Sequence, residues 1–404
     1  MTPSLADLAR GMRTELASKV LPYWYDTAQD REHGGYRLAD DAVRGRRAAR
    51  EKQLVTQSRM IWGFAHAHRK GFSTDQRSYL GAAEQGHRFL RDHFLDRKRG
   101  GYFWKTDPSG RLISDVKNLY AEVFVIYALV ELHRAGRRSQ PLEEAMELYQ
   151  TLQRHAHDAR HGGWLEHFTR DWRLITKPTP GAEVEVPGLK SANAHLHLME
   201  AYTELYDATR DESVKGSLAE AIEVNTTHFF PEQAGRSVLH RHLDWQPVSD
   251  PISAGLWYGH LVEFAWLLIR AQQVHGVPPA WSHFAAHLEH ALGHGYDHAR
   301  GGMYYSGMGE EPATQTDKEW WVQAELLAAL TEGLKHDASP AHLDALEKLI
   351  RFVWTHQVDP RDGIWLDTVT ADGQPKDTTK ANSWKANYHD LRAILKFIDA
   401  FGAS

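Results

Sequence analysis

His260 and Glu263, three residues apart in Ser253-Ala254-Gly255-Leu256-Trp257-Tyr258-Gly259-His260-Leu261-Val262-Glu263-Phe264-Ala265-Trp266, have the makings of a proton-transfer station. The imidazole stands where a glycine- and aromatic-rich loop turns into an apolar helical pattern. A spacing of three puts the carboxylate on the same helical face, where it can fix one tautomer of the ring. Phe264, Trp266 and Leu267 would exclude water there. The plainer reading of the same residues is a half-buried histidine hydrogen-bonded at a helix start. A second copy of the pattern lies near the C-terminus, where Trp384-Lys385-Ala386-Asn387-Tyr388-His389-Asp390-Leu391-Arg392 runs into Ile394, Leu395, Phe397 and Ile398.

Three other stretches carry groups that could serve a site. His195 and His197 open an amphipathic helix in Ser191-Ala192-Asn193-Ala194-His195-Leu196-His197. Their spacing of two sends the rings to different faces, one toward a cleft and the other between helices. A metal pair is the alternative for His-x-His, but there is no thiol and no third ligand at a recognisable spacing. Arg59, in Gln57-Ser58-Arg59-Met60-Ile61-Trp62, reads either as a cleft cation or as a structural salt bridge. In Lys318-Glu319-Trp320-Trp321, one indole is expected in the core and the other against a ligand, since a flat indole covers the apolar face of a pyranose. The 14 Trp, 15 Tyr and 14 Phe exceed what packing alone demands, as sugar clefts do.

These groups need elements to hold them, and a weak repeat supplies the plan. A glycine turn followed by an aromatic recurs at His33-Gly34-Gly35-Tyr36, Arg99-Gly100-Gly101-Tyr102, His161-Gly162-Gly163-Trp164, Arg300-Gly301-Gly302-Met303-Tyr304 and Asp362-Gly363-Ile364-Trp365. The first glycines are 66, 62, 139 and 62 residues apart, and Ala234-Gly235-Arg236-Ser237 sits near the middle of the long gap as a degraded copy. Each interval fits two helices, as in Leu119, Val123, Ile126, Tyr127 and Val130. Strand-like pieces are confined to short stretches after the turns, such as Tyr102–Thr106 and Trp365–Val369. The expectation is an all-α chain, a single catalytic domain over 1–404. Six helical hairpins close into an (α/α)6 barrel with short β-hairpin loops around the cleft.

Composition narrows the partners. The formal charge of -6, with both signs scattered, gives no basic stripe, so nucleic acid and anionic membrane are not expected. Cysteine is absent, which removes disulfides and thiolate metal sites. The start Met1-Thr2-Pro3-Ser4-Leu5-Ala6-Asp7 has no basic and apolar leader pattern, and no stretch of about 18 apolar residues follows, so a cytoplasmic protein is expected.

Taken together, Ser58-Arg59-Met60-Ile61-Trp62, Tyr120 with Phe124 and Tyr127, Asn193 with His195-Leu196-His197 and Glu200, Asp244-Trp245, Gly259-His260 with Glu263 and Trp266, Lys318 with Trp320-Trp321 and Gln323-Ala324-Glu325, and Trp384-Lys385 with Tyr388-His389 resemble the N-acylglucosamine 2-epimerase superfamily. The likeness runs over nearly the whole length and is greatest to its cellobiose 2-epimerase, mannose 2-epimerase and D-mannose isomerase group. The resemblance implies an (α/α)6 barrel and metal-free, cofactor-free chemistry at C2 of a reducing sugar, by a monomer or homodimer. It matches His260 and His389 to the acid/base pair, Arg59 and His197 to groups near O1 and O2 of the open-chain sugar, and Glu263 to the carboxylate beside the first histidine. Tyr120, Asn193, Trp320 and Trp384 match cleft-lining positions. Ala386-Asn387 and Asp390 depart from the cellobiose-type pattern, so mono- and disaccharide substrates both stay open, as do epimerisation and aldose–ketose isomerisation. An (α/α)6 glycoside hydrolase, using two carboxylates among Asp244, Asp250 and Glu263, is the alternative.

Overall fold

The computed structural model describes residues 4–179 and 186–402. Met1–Pro3 and residues 180–185, part of the Gly- and Glu-bearing loop ahead of His195, lie outside the described residues. The chain is mostly helical. Helix α1 (Leu5–Glu15) passes through a π turn into α2 (Leu21–Thr27). There follow α3 (Leu54–Arg69), α4 (Tyr79–Phe89), α5 (Leu119–Gly136), α6 (Ser139–His155), α7 (Ala192–Thr209) and α8 (Glu212–Val224). The remainder are α9 (Tyr258–His275), α10 (Trp281–His294), α11 (Trp320–His336), α12 (Pro340–His356) and α13 (His389–Phe401).

Sequence patterning sorts these helices into two rows. In α5 every residue from Ala121 to Leu132 is buried, as an apolar helix covered on all sides must be. In α6 burial falls only on Pro141, Ala145, Leu148, Tyr149 and Leu152, a single stripe at steps of three and four. The fully covered helices α3, α5, α7, α9, α11 and α13 pack each on the next, and α4, α6, α8, α10, α12 and α1 back them one to one. Trp62 of α3 meets Tyr388, just ahead of α13, with ring centroids 5.4 Å apart. One apolar core runs through all of them. Among the described residues, no helix is long and apolar enough to cross a membrane.

Short strands stitch the units together. The strand before each inner helix pairs antiparallel with residues of the following unit. Lys52–Gln53 pairs with Lys105–Thr106, and Lys117–Asn118 with His167–Phe168. Leu189–Ser191 pairs with His240–His242, Leu256–Trp257 with Ser306–Gly307, and Lys318–Glu319 with Thr368–Val369. The last strand, Thr379–Ala381, pairs back to Asp40–Asp41, tying the final unit to the first.

The glycine turns are built on a feature beyond the glycines. An aspartate stands four residues before each first glycine, at Asp30, Asp96, Asp158, Asp297 and Asp359, and its backbone carbonyl accepts that glycine's N–H at 2.7–2.9 Å. Consecutive glycines such as Gly100 and Gly101 take positive φ (73° and 68°), a conformation costly for other residues. Each Asp carboxylate is then met by a buried lysine from the next strand: Lys52, Lys117, Lys190, Lys318 and Lys380. The degraded turn at Gly235 is different. Ala234–Arg236 is a short 3-10 turn, with Pro231 where the aspartate would stand.

Candidate active site

Because five inner helices start directly after their stitched strands, their residues stay in step. The sixth residue of α3, α5, α7, α9 and α11 is Arg59, Phe124, His197, Glu263 and Glu325. These side chains converge. Arg59 lies 4.4 Å over the Phe124 ring, whose centroid is 4.8 Å from that of His197, while Glu263 and Glu325 both meet Arg392 of α13.

Above them lies a cavity of about 140 Å³, roughly the share of five water molecules in the liquid. Its walls include every side chain that the family resemblance matched to a site position: Arg59, Tyr120, Asn193, His197, His260, Glu263, Trp320, Trp384 and His389. Trp257, Tyr305 and Trp321 complete it and were not among those residues. Trp320 and Trp321 both face the cavity, where one indole had been expected in the core. Asp244 and Asp250 are exposed and stand outside it, so a hydrolase carboxylate pair does not assemble here.

The two loop-to-helix histidines are held in different ways. Nδ1 of His389 meets Glu325 Oε1 at 2.6 Å, which assigns it as the N–H donor and leaves Nε2 as the basic nitrogen. Glu325 is fixed in turn by Trp266 Nε1, donating at 3.1 Å, and by Arg392 Nη2 at 2.7 Å. The His260 ring stands between Trp257 and Trp321, with centroids 4.9 and 5.1 Å away, and its Nδ1 has no hydrogen-bond partner. The expected His260–Glu263 pair does not form. Glu263 Oε1 accepts from Arg392 Nη2 at 2.5 Å instead, because a buried guanidinium satisfies a buried carboxylate better than a neutral ring can. The same three-residue spacing does form a pair on α7, where His197 Nδ1 meets Glu200 Oε2 at 2.8 Å.

Arg392 organises the floor. It bonds Glu200, Glu263, Glu325 and the Tyr388 hydroxyl. Ligand-type atoms of Glu263, Glu325 and His389 lie within 4.8 Å of one another, close enough for a cation, and the guanidinium takes that place. Burial opposes ionisation of Glu200, yet Arg392 and His197 outweigh it and hold the carboxyl at about 2. Burial and the neighbouring Glu325 push Glu263 well above the usual range, and one Glu263 oxygen, Oε2, has no partner. Burial also pushes His260 down to about 3, and burial with the nearby Arg59 pushes His389 well below 6.5. Both imidazoles are therefore neutral in the free protein at neutral pH.

The substrate-facing rim is polar and aromatic. Arg59 Nη2 donates to the Tyr120 hydroxyl at 2.7 Å and Nη1 to the Trp384 carbonyl at 3.1 Å, so its charge is aimed but not neutralised. Asn193 Oδ1 is buried without a partner. Trp384 is 51% exposed at the mouth, against Trp104. His195 looks away from the cavity: it accepts from the Trp164 N–H at 3.1 Å and meets the Ser191 carbonyl at 2.8 Å, a packed, neutral ring.

The comparisons with known proteins fall on the same frame. The family model for N-acylglucosamine 2-epimerase (GlcNAc 2-epimerase) matches residues 34–393. The chain belongs to the N-acylglucosamine 2-epimerase family. It is similar to a cellobiose 2-epimerase of Bacteroides fragilis, with 29% identity over 401 residues covering 97% of this chain and 98% of the relative. It is also similar to a D-mannose isomerase of Marinomonas mediterranea, with 25% identity covering 94% of each. Among solved structures, the cellobiose 2-epimerase of Spirochaeta thermophila superposes with a TM-score of 0.87 at 30% identity, over 99% of this chain and 98% of that one. The family match thus runs from the first glycine turn into α13.

Proposed function

We propose that this protein catalyses reversible, metal-free proton transfer at C2 of an unphosphorylated mannose- or glucose-type reducing sugar, through an enediolate. The observation that carries this reading is the meeting of two neutral imidazoles, His260 and His389, with the aimed guanidinium of Arg59 in one indole-walled cavity. Carbanions alpha to an aldehyde form only if charge on the oxygens is stabilised as it develops, and Arg59 stands ready for that charge. His389, oriented by Glu325, takes the C2 proton on Nε2 and becomes the imidazolium. Returning that proton to C1, with the O2 proton passing to O1, gives the ketose. Delivery of a proton by His260 to the opposite face of C2 gives the epimer; His260 takes that proton from solvent as the enediolate raises its pKa, and His389 afterwards releases to solvent the one it took. His197, Tyr120, Asn193 and Glu263 hold the open-chain oxygens, while Trp320 and Trp384 cover the sugar's apolar face.

The inner-helix cycle is read as an (α/α)6 barrel and residues 1–404 as its single domain. The enzyme is taken to be cytoplasmic, to work without a cofactor, and to act as a monomer or homodimer. Arg392 in the place of a cation supports the metal-free chemistry. The test is incubation with mannose, glucose and cellobiose in deuterium oxide. Deuterium at C2 with the C2 epimer marks the epimerase, and deuterium at C1 with fructose marks the isomerase. No exchange with any of the three sugars, nor with N-acetylglucosamine, overturns the reading.

A further inference from the structure

The fourth turn is the one glycine turn among the described residues without the aspartate–lysine tie, and other groups stand there. His290 and His294 lie one turn apart on α10, with ring centroids 4.5 Å apart, and both face Glu310. Glu310 comes from the turn Met308–Glu311 of the next unit and reaches across Gly235. We propose that His290, His294 and Glu310 bind one zinc-class divalent ion, which ties this loop to α10 where the other units use a buried lysine.

The distances favour coordination over an ion pair. Glu310 Oε2 lies 3.5 Å from His290 Nδ1 and 3.3 Å from His294 Nε2. Charge-assisted hydrogen bonds close to about 2.7–2.9 Å. Ligand atoms about 2.0–2.1 Å from a tetrahedral zinc are instead roughly 3.3–3.4 Å from each other. One ligand atom from each of the three residues falls within a 4.8 Å set. His290 is only 9% exposed and its Nε2 has no hydrogen-bond partner, while the Gly309 carbonyl lies against the ring. A Cβ at Gly235 would collide with the Glu310 carboxylate and crowd His290, so glycine leaves the space for the set. Glu310 is exposed, so a fourth, water-held position faces solvent. Two histidines and a carboxylate suit Zn2+, Co2+ or Ni2+ rather than Mg2+ or Ca2+.

The loop so tied begins at Tyr305, a wall of the cavity, and passes through Ser306–Gly307, paired to the strand that leads into His260. The experiment uses the full chain without a polyhistidine tag, stripped with a chelator. Calorimetric titration with Zn2+ is expected to show one equivalent bound, Co2+ to give tetrahedral visible bands, and Zn2+ to raise the unfolding temperature. His294→Gln and Glu310→Gln, both at partly exposed positions, are expected to keep the circular dichroism of the parent and to weaken binding at least about tenfold. Absence of Zn2+ uptake by the parent, or equal uptake by both variants, overturns the proposal. None of these readouts depends on the sugar reaction.

Discussion

A histidine base is only as good as its orientation and its proton affinity, and His389 has both set by neighbours. Its acid limb follows from the sign of the shift. With His389 held well below 6.5 and His260 at about 3, both rings stay unprotonated until the pH falls far below the ordinary imidazole range. The kcat/KM profile is therefore expected to stay level through pH 6.5 and to fall only well below it; a half-point near 6.5 would contradict the geometry. His389→Ala and His260→Ala are each expected to lower turnover by about 10²–10⁴ with the fold intact, measured by deuterium exchange at C2. Glu325→Gln replaces the charged acceptor of Nδ1–H by a neutral amide, so it should lower kcat with little change in KM and shift the acid limb. The sequence made these histidines visible because each sits at a loop-to-helix junction. It paired Glu263 with His260 and did not show the carboxylate that orients His389, because Glu325 lies on another helix 64 positions away.

At the scale of elements, the repeat does the positioning. Each turn is closed by its own aspartate, but the lysine that neutralises it arrives 17 to 28 residues after the first glycine, as Lys52 does for Gly34 and Lys190 for Gly162. Lys318 shows what such a tie holds. Its ammonium donates to Asp297 Oδ2 at 2.9 Å and to the carbonyls of Gly301 and Ala371 at 2.8 and 3.0 Å, with no exposed side-chain surface. Lys318→Met strands a buried carboxylate, and about 3–5 kcal/mol of stability is expected to go with it. Urea unfolding measures that loss, and a change under about 1 kcal/mol would show the tie to be dispensable. The glycines and aromatics of the turns were legible from sequence because φ > 0 and burial restrict residue type locally. The aspartate–lysine pairing was not, because its partners stand 21 to 32 positions apart across loops, where a single Asp or Lys reads as a solvated surface charge.

The whole molecule decides which end of the helices works. Cleft residues come from the N-terminal turns of α3, α5, α7, α9, α11 and α13, so the positive ends of these helix dipoles face the place where an enediolate would form. A larger cavity of about 480 Å³ lies at their C-terminal ends. Its charges are spent on one another, as in Arg134 with Glu204 and Asp207 and Arg270 with the same pair, which leaves little for a ligand. Burial of neutral histidines also sets the acid stability. His195, His260 and His287 are each depressed to about 3, first by burial. Between that value and an unfolded pKa near 6.5, the unfolded chain binds more protons, so stability falls as pH drops, by up to about 1.4 kcal/mol per pH unit for each ring. The melting temperature is expected to decline steadily from pH 6.5 to 4, and His287→Gln to flatten that decline.

The sequence by itself determined the helical hairpins, the turns between them and the residue types of the cleft, because helix period, glycine conformation and indole burial are local properties of short stretches. Only the tertiary structure decided which acid serves which base, that Arg392 fills the space of a cation, and that both imidazoles are neutral. Those outcomes depend on distances between residues 64 to 192 positions apart and on the loss of water around them, which no local pattern encodes.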